Sequence, residues 1–163
     1  MELKKTFSLR KVFIILYMVA FLTYIAVGFM PADGTAYTID GALAIPSIDL
    51  VSGVTALELK DHKLNTPDTI VGSYAKNPNK TFLIGHSSTI FKNLYQVNTN
   101  DSIFYNNAEY KIVNIEILKK SDIDMSKILK AEEKDTIVIM TCAGETVGEH
   151  DASHRLIVTA TLN

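Results

Sequence analysis

The 163-residue chain contains no tryptophan and only one cysteine, Cys142. A single cysteine excludes a disulfide framework within the chain, and it also excludes a zinc site built from several thiolates. The sequence shows no internal repeat and no low-complexity tract. With 47% hydrophobic residues, the composition is neither collagen-like nor disordered. These absences leave one globular domain with a small additional segment.

The N-terminal segment has little negative charge and carries four basic residues before residue 12: Lys4, Lys5, Arg10 and Lys11. An uncharged apolar stretch follows over residues 12–30. It approaches the ~20 residues of a membrane-spanning helix, and the flanking positive charge predicts a cytoplasmic N-terminus. A cleaved signal peptide is the alternative, but its apolar region is usually only ~7–15 residues long. We therefore predict an uncleaved transmembrane signal-anchor with a cytoplasmic tip over residues 1–30.

The remainder of the chain is acidic. Residues 31–163 carry 12 lysine and arginine residues against 17 aspartate and glutamate residues. This balance argues against a nucleic-acid partner. Residues 31–41 are polar and turn-rich, which predicts a linker between the membrane and an extracellular domain over residues 42–163.

Short β-rich runs separated by turn signals follow the linker, and they predict an all-β domain. The predicted strands cover residues 42–50, 54–60, 68–74, 80–86, 102–118, 135–141 and 154–162. Asn106 and Asn107 divide the run 102–118 into a hairpin, because asparagine tolerates positive φ. About eight strands in this length favour a barrel or a sandwich over alternating βαβ units. Short helical segments are predicted at 88–95 and at 121–133, the second starting at a serine.

Cys142 follows the run "TIVIMT" and precedes an alanine and a glycine. A free cysteine commonly packs as a small hydrophobic residue. Here the predicted position at a strand end, the small residues that follow and the oxidising compartment favour a functional thiol. An ordinary thiol has a pKa of ~8.5, so catalysis requires a cationic neighbour or a base.

Four histidines and one arginine outside the N-terminal segment are candidate partners of the thiol. His86 ends an apolar strand directly after a glycine, although it could equally cap the strand end. His62 lies between charged residues and is expected to be a solvated turn residue, while His150 lies in a polar loop. His154 and Arg155 are neighbours in an extended run, so their side chains should point to opposite faces. If Arg155 faces the thiol, His154 does not.

Five segments of the sequence resemble the sortase family from about residue 43 to the end: "IPSIDL", "TFLIGHSSTIFKNL", "DSIFYNNAEYKI", "TIVIMTC" and "HRLIVTATL". Sortases are membrane-anchored cysteine transpeptidases of bacterial surfaces. The resemblance implies an eight-stranded closed β-barrel with one or two short helices and an N-terminal transmembrane signal-anchor. It also implies that Cys142 is the nucleophile, His86 the acid/base and Arg155 the cationic stabiliser, with no metal in the catalytic set.

The resemblance further implies the substrates and the location. Secreted proteins with a C-terminal LPxTG-like motif would be cleaved through a thioacyl intermediate and transferred to an amine of peptidoglycan or of a pilin. The enzyme would be a single-pass protein of the cell membrane with its catalytic domain outside. The family's usual "TLxTC" is "VIMTC" here, and Ser87 follows the Gly-His pair, which leaves the subclass open.

The acidic segment before the cysteine strand raises the question of calcium, which some sortases bind. It contains five acidic residues: Asp122, Asp124, Glu132, Glu133 and Asp135. Their spacing matches no known calcium loop, so a solvated acidic face is favoured and no cofactor is predicted. Within the same segment Met125, Ile128 and Leu129 are expected to pack on the barrel or to line a substrate groove.

Two other functions fit the same residues less well. The nearest enzyme alternative is a wall-active L,D-transpeptidase or another exported cysteine peptidase. L,D-transpeptidases typically show a Ser-His-Gly-Cys run, which is absent from this sequence. A membrane-tethered, peptide-binding β-barrel without catalysis would leave Cys142 as a structural residue.

Overall fold

The computed structural model describes residues 41–60, 63–147 and 152–163, all within one compact unit, Tyr37–Asn163. The strands are β1 (Gly41–Ile45), β2 (Leu50–Ala56), β3 (Leu59–Lys60), β4 (Lys63–Leu64), β5 (Val71–Asn77), β6 (Lys80–Ile84), β7 (Ser102–Tyr105), β8 (Ala108–Lys119), β9 (Thr136–Thr146) and β10 (Ala152–Leu162). A four-residue helix, α1 (Met125–Ile128), lies between β8 and β9. Single 3-10 turns lie at Pro46–Ile48, Leu94–Gln96 and Lys120–Asp122.

Eight of these strands close into a barrel in the order β1-β2-β5-β6-β9-β10-β8-β7. The pairs β2–β5 and β6–β9 are parallel, and the remaining barrel pairs are antiparallel. Strands β3 and β4 form a separate two-stranded ribbon. The predicted closed eight-stranded β-barrel is therefore confirmed.

The predicted transmembrane segment, residues 12–30, lies outside the described residues. Within the described part of the chain, no helix combines the length and the apolar character needed to span a membrane. The anchor and the domain boundaries at residues 30 and 41 remain predictions, although strand β1 already begins at Gly41.

The single strand predicted over residues 42–50 is wrong. Pro46 starts a 3-10 turn after β1, and Asp49 ends that turn with a φ of 52°. Proline has no backbone N–H to donate to a ladder, so the chain turns there. The result is an antiparallel β1–β2 pair, in which Ile45 lies opposite Leu50.

The hairpin between β7 and β8 is confirmed at Asn106 and Asn107. Their φ values are 48° and 67°. A two-residue hairpin loop with positive φ at both positions is the arrangement that asparagine accommodates best among residues other than glycine.

The helix predicted over residues 121–133 is reduced to the four residues of α1. Its N-cap is Asp124, whose carboxylate accepts a hydrogen bond from the Ser126 backbone N–H at 2.9 Å. Ser121 instead belongs to a 3-10 turn, so the predicted serine start is wrong. Residues 88–95 form turns followed by the single 3-10 turn at Leu94–Gln96.

The barrel buries apolar side chains on both faces of β6, β9 and β10. Residues Ile137 and Ile139 of β9 belong to the interior core, whereas Val138 and Met140 point outward. The outward side chains form a second cluster, here called the outer-face cluster, of Phe82, Ile84, Val138 and Ile157. The β8–β9 connection covers it with Ile123, Met125, Ile128 and Leu129. Because alternate residues of β9 share a face, Cys142 continues the outward row.

Candidate active site

Cys142 lies on the central strand of three, where one neighbouring strand has already ended. The parallel ladder with β6 stops at the pair Ile84–Met140, while β10 continues and places Arg155 opposite Cys142. The predicted strand end at residue 141 is wrong, because β9 runs to Thr146 along β10. The cysteine is partly exposed. It therefore sits on the outer face beside a gap left by β6 and is not buried among aliphatic side chains.

A bulge follows the cysteine. Ala152 pairs with Thr146, but His154 already pairs with Ala143, so β9 has one extra residue in this interval. Gly144 accommodates it with a φ of 78°. A Cβ at this position would come within 2.8 Å of His154 Nδ1 and of Ser153 Oγ. Gly144, two residues after the cysteine, thus allows a close approach of β10 side chains at the bulge.

His86 reaches the same face through the parallel ladder. Ile84 and Met140 are partners in it, and His86 and Cys142 each follow two residues later. Two residues of extended chain return a side chain to the same face, which brings the imidazole and the thiol to the same end of the outer-face cluster. The His86 side chain is 41% exposed. The long-range pairing of β6 with β9 thus brings the predicted histidine close to the cysteine end of the cluster.

The turn after His86 is packed tightly. The His86 carbonyl accepts a hydrogen bond from the Phe91 N–H at 3.0 Å. A Cβ on Gly85 would overlap the side chains of Ile90 and Phe91. Glycine at this position lets the turn close against the barrel, and the closed turn holds the backbone of His86.

Thr141 links β9, the strand of Cys142, to the histidine segment, which is the chain that follows β6 and contains Gly85 and His86. Its Oγ1 donates to the Gly85 carbonyl at 2.8 Å, and the threonine is buried. The bond joins the residue before Cys142 to the residue before His86. Sequence reasoning paired Thr141 with Cys142 but missed this contact; the available signal was a polar residue at an inward position of an apolar strand.

Arg155 shares the outer face with Cys142, since the two residues are directly paired across antiparallel strands. Such partners have Cβ atoms ~4.5–5.5 Å apart. Arg155 Nη1 donates to the carbonyls of Ala152 at 2.8 Å and His154 at 2.9 Å, which restrains the guanidinium against its own strand.

His154 lies on the other face of β10, where its Nδ1 is 2.8 Å from Ser153 Oγ. It does not line the cavity that contains Arg155. The prediction that these two neighbours face opposite sides is confirmed. His62 and His150 lie outside the described residues.

One cavity of about 510 Å³ contains all three predicted site residues: Cys142, His86 and Arg155. Its apolar wall consists of Leu59, Leu64, Tyr74, Phe82, Ile84, Met125, Leu129 and Met140. Met125 and Leu129 also pack on the outer-face cluster, which confirms the packing expected from the sequence. The cavity combines the partly exposed thiol of Cys142 with an extended apolar surface.

The wall that carries α1 is fixed to the β5–β6 hairpin. Lys80 Nζ lies 2.9 Å from Glu132 Oε1, and Lys80 is only 6% exposed. The hydrogen bond from Lys80, together with its charge, lowers the pKa of Glu132. Asn77 Nδ2 donates to the Leu129 carbonyl at 2.5 Å. Two polar contacts therefore hold the β8–β9 connection over the outer-face cluster.

The acidic residues of the β8–β9 connection have individual roles in the structure. Asp124 caps α1, and Glu132 pairs with Lys80. No group of three or more histidine, cysteine, aspartate or glutamate side chains among the residues with described positions is arranged to hold a metal ion.

Residues Thr66 and Asp68 were not identified from the sequence. His86 Nε2 is 3.4 Å from the Thr66 carbonyl oxygen and 3.5 Å from Asp68 Oδ1. Both belong to the irregular connection between β4 and β5. No local pattern in the sequence indicates that this connection reaches the histidine.

The fold and the site together define a closed β-barrel with a thiol, an imidazole and a guanidinium in one groove on its outer face. This is a combination of groups suited to acyl transfer through a cysteine. The sequence matches the Sortase domain family over residues 43–163. The chain belongs to the sortase family, whose members are cysteine transpeptidases.

Solved structures of the same fold are similar to this chain at low identity. Sortase A from Corynebacterium diphtheriae, as a lid mutant, has a TM-score of 0.62 at 23% identity, covering 81% of this chain and 74% of its own. Sortase A of Listeria monocytogenes has a TM-score of 0.61 at 17% identity, with coverages of 77% and 87%. Sortase C-1 from Actinomyces oris has a TM-score of 0.59 at 23% identity, covering 76% and 71%. A search of curated protein sequences gives no match.

Proposed function

We propose that this protein cleaves a C-terminal LPxTG-like sorting motif and transfers the released carbonyl to an amine through a thioacyl intermediate on Cys142. The observation that carries the proposal is the shared cavity, in which Cys142, His86 and Arg155 meet an apolar wall. Membership of the sortase family supports the reaction class. It also favours this reaction over that of an L,D-transpeptidase.

In the first half of the reaction, the thiolate of Cys142 attacks a carbonyl carbon of the motif, and a tetrahedral oxyanion forms. Arg155, opposite Cys142, is placed to stabilise that negative charge. The C–N bond then breaks. His86 in its protonated form donates a proton to the leaving amine, and a thioester remains on the sulfur.

In the second half, an amine attacks the thioester and the thiolate departs. The neutral imidazole of His86 takes the proton from the attacking nitrogen, which restores the starting state. An amine of peptidoglycan would attach the substrate to the cell wall, and an amine of a pilin would extend a polymer. The groove must favour amines over water, and the apolar side chains beside the thiol support this by limiting hydration.

The apolar wall is the proposed binding surface for the sorting motif. Leucine and proline side chains of an LPxTG-like peptide would contact residues such as Leu64, Met125 and Leu129. Burial of an aliphatic side chain contributes about 1.5–3 kcal/mol. One such contact strengthens peptide binding by about 10- to 150-fold.

We also propose that residues 12–30 anchor the enzyme in the cell membrane with the barrel outside. The basic residues before Val12 support this orientation. An anchor would hold the groove near secreted substrates and raise their effective concentration.

Transpeptidation by the full chain tests the proposal. Incubation with a sorting-motif peptide and hydroxylamine should give a hydroxamate product that depends on the chain. The variant Cys142→Ala should give none, and the exposed-surface variant Lys92→Ala should retain the full rate. Absence of product with several motif variants, combined with measurable peptide binding, would show a peptide-binding barrel instead.

A further inference from the structure

One nitrogen of the His86 ring, Nε2, lies close to two hydrogen-bond acceptors. The Thr66 carbonyl oxygen and the Asp68 carboxylate lie 3.4 Å and 3.5 Å from Nε2. A carbonyl and an ionised carboxylate only accept hydrogen bonds. The nitrogen between them is satisfied only when it carries a hydrogen, in the neutral ring as well as in the charged ring.

The segment that supplies these acceptors is held in place from both sides. Pro67, between the two acceptor residues, is buried. Thr89 Oγ1, in the turn after His86, donates to the Asp68 carbonyl at 2.6 Å. The turn and the acceptor segment are thereby joined to each other, so the acceptors keep their position relative to the imidazole. The Asp68 side chain itself is 68% exposed, and its contribution is therefore mainly directional.

The other ring nitrogen, Nδ1, has no hydrogen-bond partner among the residues whose positions are described. The charged or titratable groups that share the cavity with His86 are Tyr74 on β5, Cys142 on β9 and Arg155 on β10. Proton transfer to a leaving amine requires a ring nitrogen that is not already committed to a protein acceptor.

We infer that Thr66 and Asp68 hold His86 as the Nε2–H tautomer, so that Nδ1 is the atom that exchanges the proton in the groove. The inference rests on the proposed function for the proton transfer itself, but the tautomer is a property of the resting enzyme. The protonated ring gives its Nδ1 proton to the leaving amine, and the neutral Nδ1 takes a proton from the incoming amine. Asp68 is a positioning residue, since it acts through His86.

Nuclear magnetic resonance of the full chain with ¹⁵N-labelled histidine tests the tautomer directly. Long-range proton–nitrogen correlations distinguish the Nδ1–H and Nε2–H forms of a neutral ring, and His86→Gln identifies the His86 signals. We expect the Nε2–H pattern in the wild type. Asp68→Ala should mix the two tautomers and lower kcat about three- to tenfold, the loss expected for one hydrogen bond, without raising KM for the peptide.

Matched variants separate the effect of the Asp68 acceptor oxygen from the effect of its charge and from any effect on folding. Asp68→Asn keeps an acceptor oxygen and should retain the Nε2–H tautomer, while Asp122→Ala, which removes an exposed carboxylate elsewhere, should change neither readout. An Nδ1–H pattern in the wild type would overturn the inference, as would a fall in kcat of Asp68→Ala with the tautomer unchanged. Because the tautomer is read without turnover, failure of transpeptidation would count against the proposed function and not against this assignment.

Discussion

At the scale of single residues, replacement of Arg155, which lies opposite Cys142, tests most clearly whether a cation stabilises the proposed oxyanion. Arg155 is the only arginine outside the N-terminal segment, and backbone carbonyls of its own strand orient it. A guanidinium presents a rigid set of donors, whereas the ammonium of lysine is a flexible point charge. We therefore expect the proposed oxyanion to depend on this side chain in a way that lysine does not reproduce.

Arg155→Ala should lower kcat/KM about 10²–10³-fold, the range for loss of an oxyanion donor. The melting temperature should change little, because the side chain lies on the outer face and is partly exposed. Steady-state transpeptidation kinetics and thermal unfolding check the two expectations. Lys119→Ala removes an exposed cation from the neighbouring strand and should leave the rate intact. Full activity of Arg155→Ala would remove Arg155 from the mechanism.

The hydroxyl of Thr141 is a second single-residue feature, and we expect it to affect both stability and activity. Replacement by valine keeps the shape but withdraws the buried donor from the Gly85 carbonyl. We expect Thr141→Val to lose about 1–3 kcal/mol of unfolding free energy and to lower kcat, because the histidine segment loses its attachment to β9. Thr141→Ser retains the hydroxyl and should recover most of both quantities. Denaturant titration and kinetics measure them, and equal behaviour of the two variants would refute the role.

At the scale of elements, the local parts of the fold could be predicted from sequence and the long-range parts could not. The Asn106–Asn107 turn is set by its own residues, and the outward row of β9 follows from alternation. The extension of β9 to Thr146 depends on its partner β10, for which the local sequence gives no signal. The local sequence also gives no signal that Thr66 and Asp68 approach His86, because both residues lie in an irregular segment.

The wall of the groove should be sensitive to acid through the Lys80–Glu132 pair. The pKa of Glu132 is lowered in the folded state, so its pairing stabilises the fold above the ordinary pKa of 4.5. That contribution is lost as the pH falls below 4.5 through the lowered value, where the carboxylate gains a proton. Wild-type stability should therefore decline in this range.

Glu132→Gln isolates this contribution. The variant should be less stable than the wild type at pH 7, because the buried ammonium of Lys80 loses its carboxylate, and the difference should shrink as the pH falls below 4.5. The peptide KM should also rise at pH 7 if the pair holds the wall. Denaturant unfolding at several pH values measures the effect, with Glu133→Gln as the neighbouring control. A difference independent of pH would contradict the assignment.

At the scale of the whole molecule, the sortase-family barrel follows a predicted membrane anchor in the chain. Removal of residues 1–30 should transfer the protein from the membrane fraction to the soluble fraction, because the apolar stretch 12–30 is removed. Activity on a short free peptide should be retained, since the site residues all lie in the unit Tyr37–Asn163. Cell fractionation gives the result, and persistence of the shortened protein in the membrane fraction would show that another part of the chain binds there.

The most direct measurement is the intact mass of the full chain after reaction with a sorting-motif peptide and a rapid acid quench. The proposed thioacyl mechanism predicts a mass increase equal to the acyl fragment, mapped by digestion to Cys142 and absent from Cys142→Ala. An unmodified Cys142 under conditions where the peptide is cleaved, or an acyl group on a different residue, would contradict it.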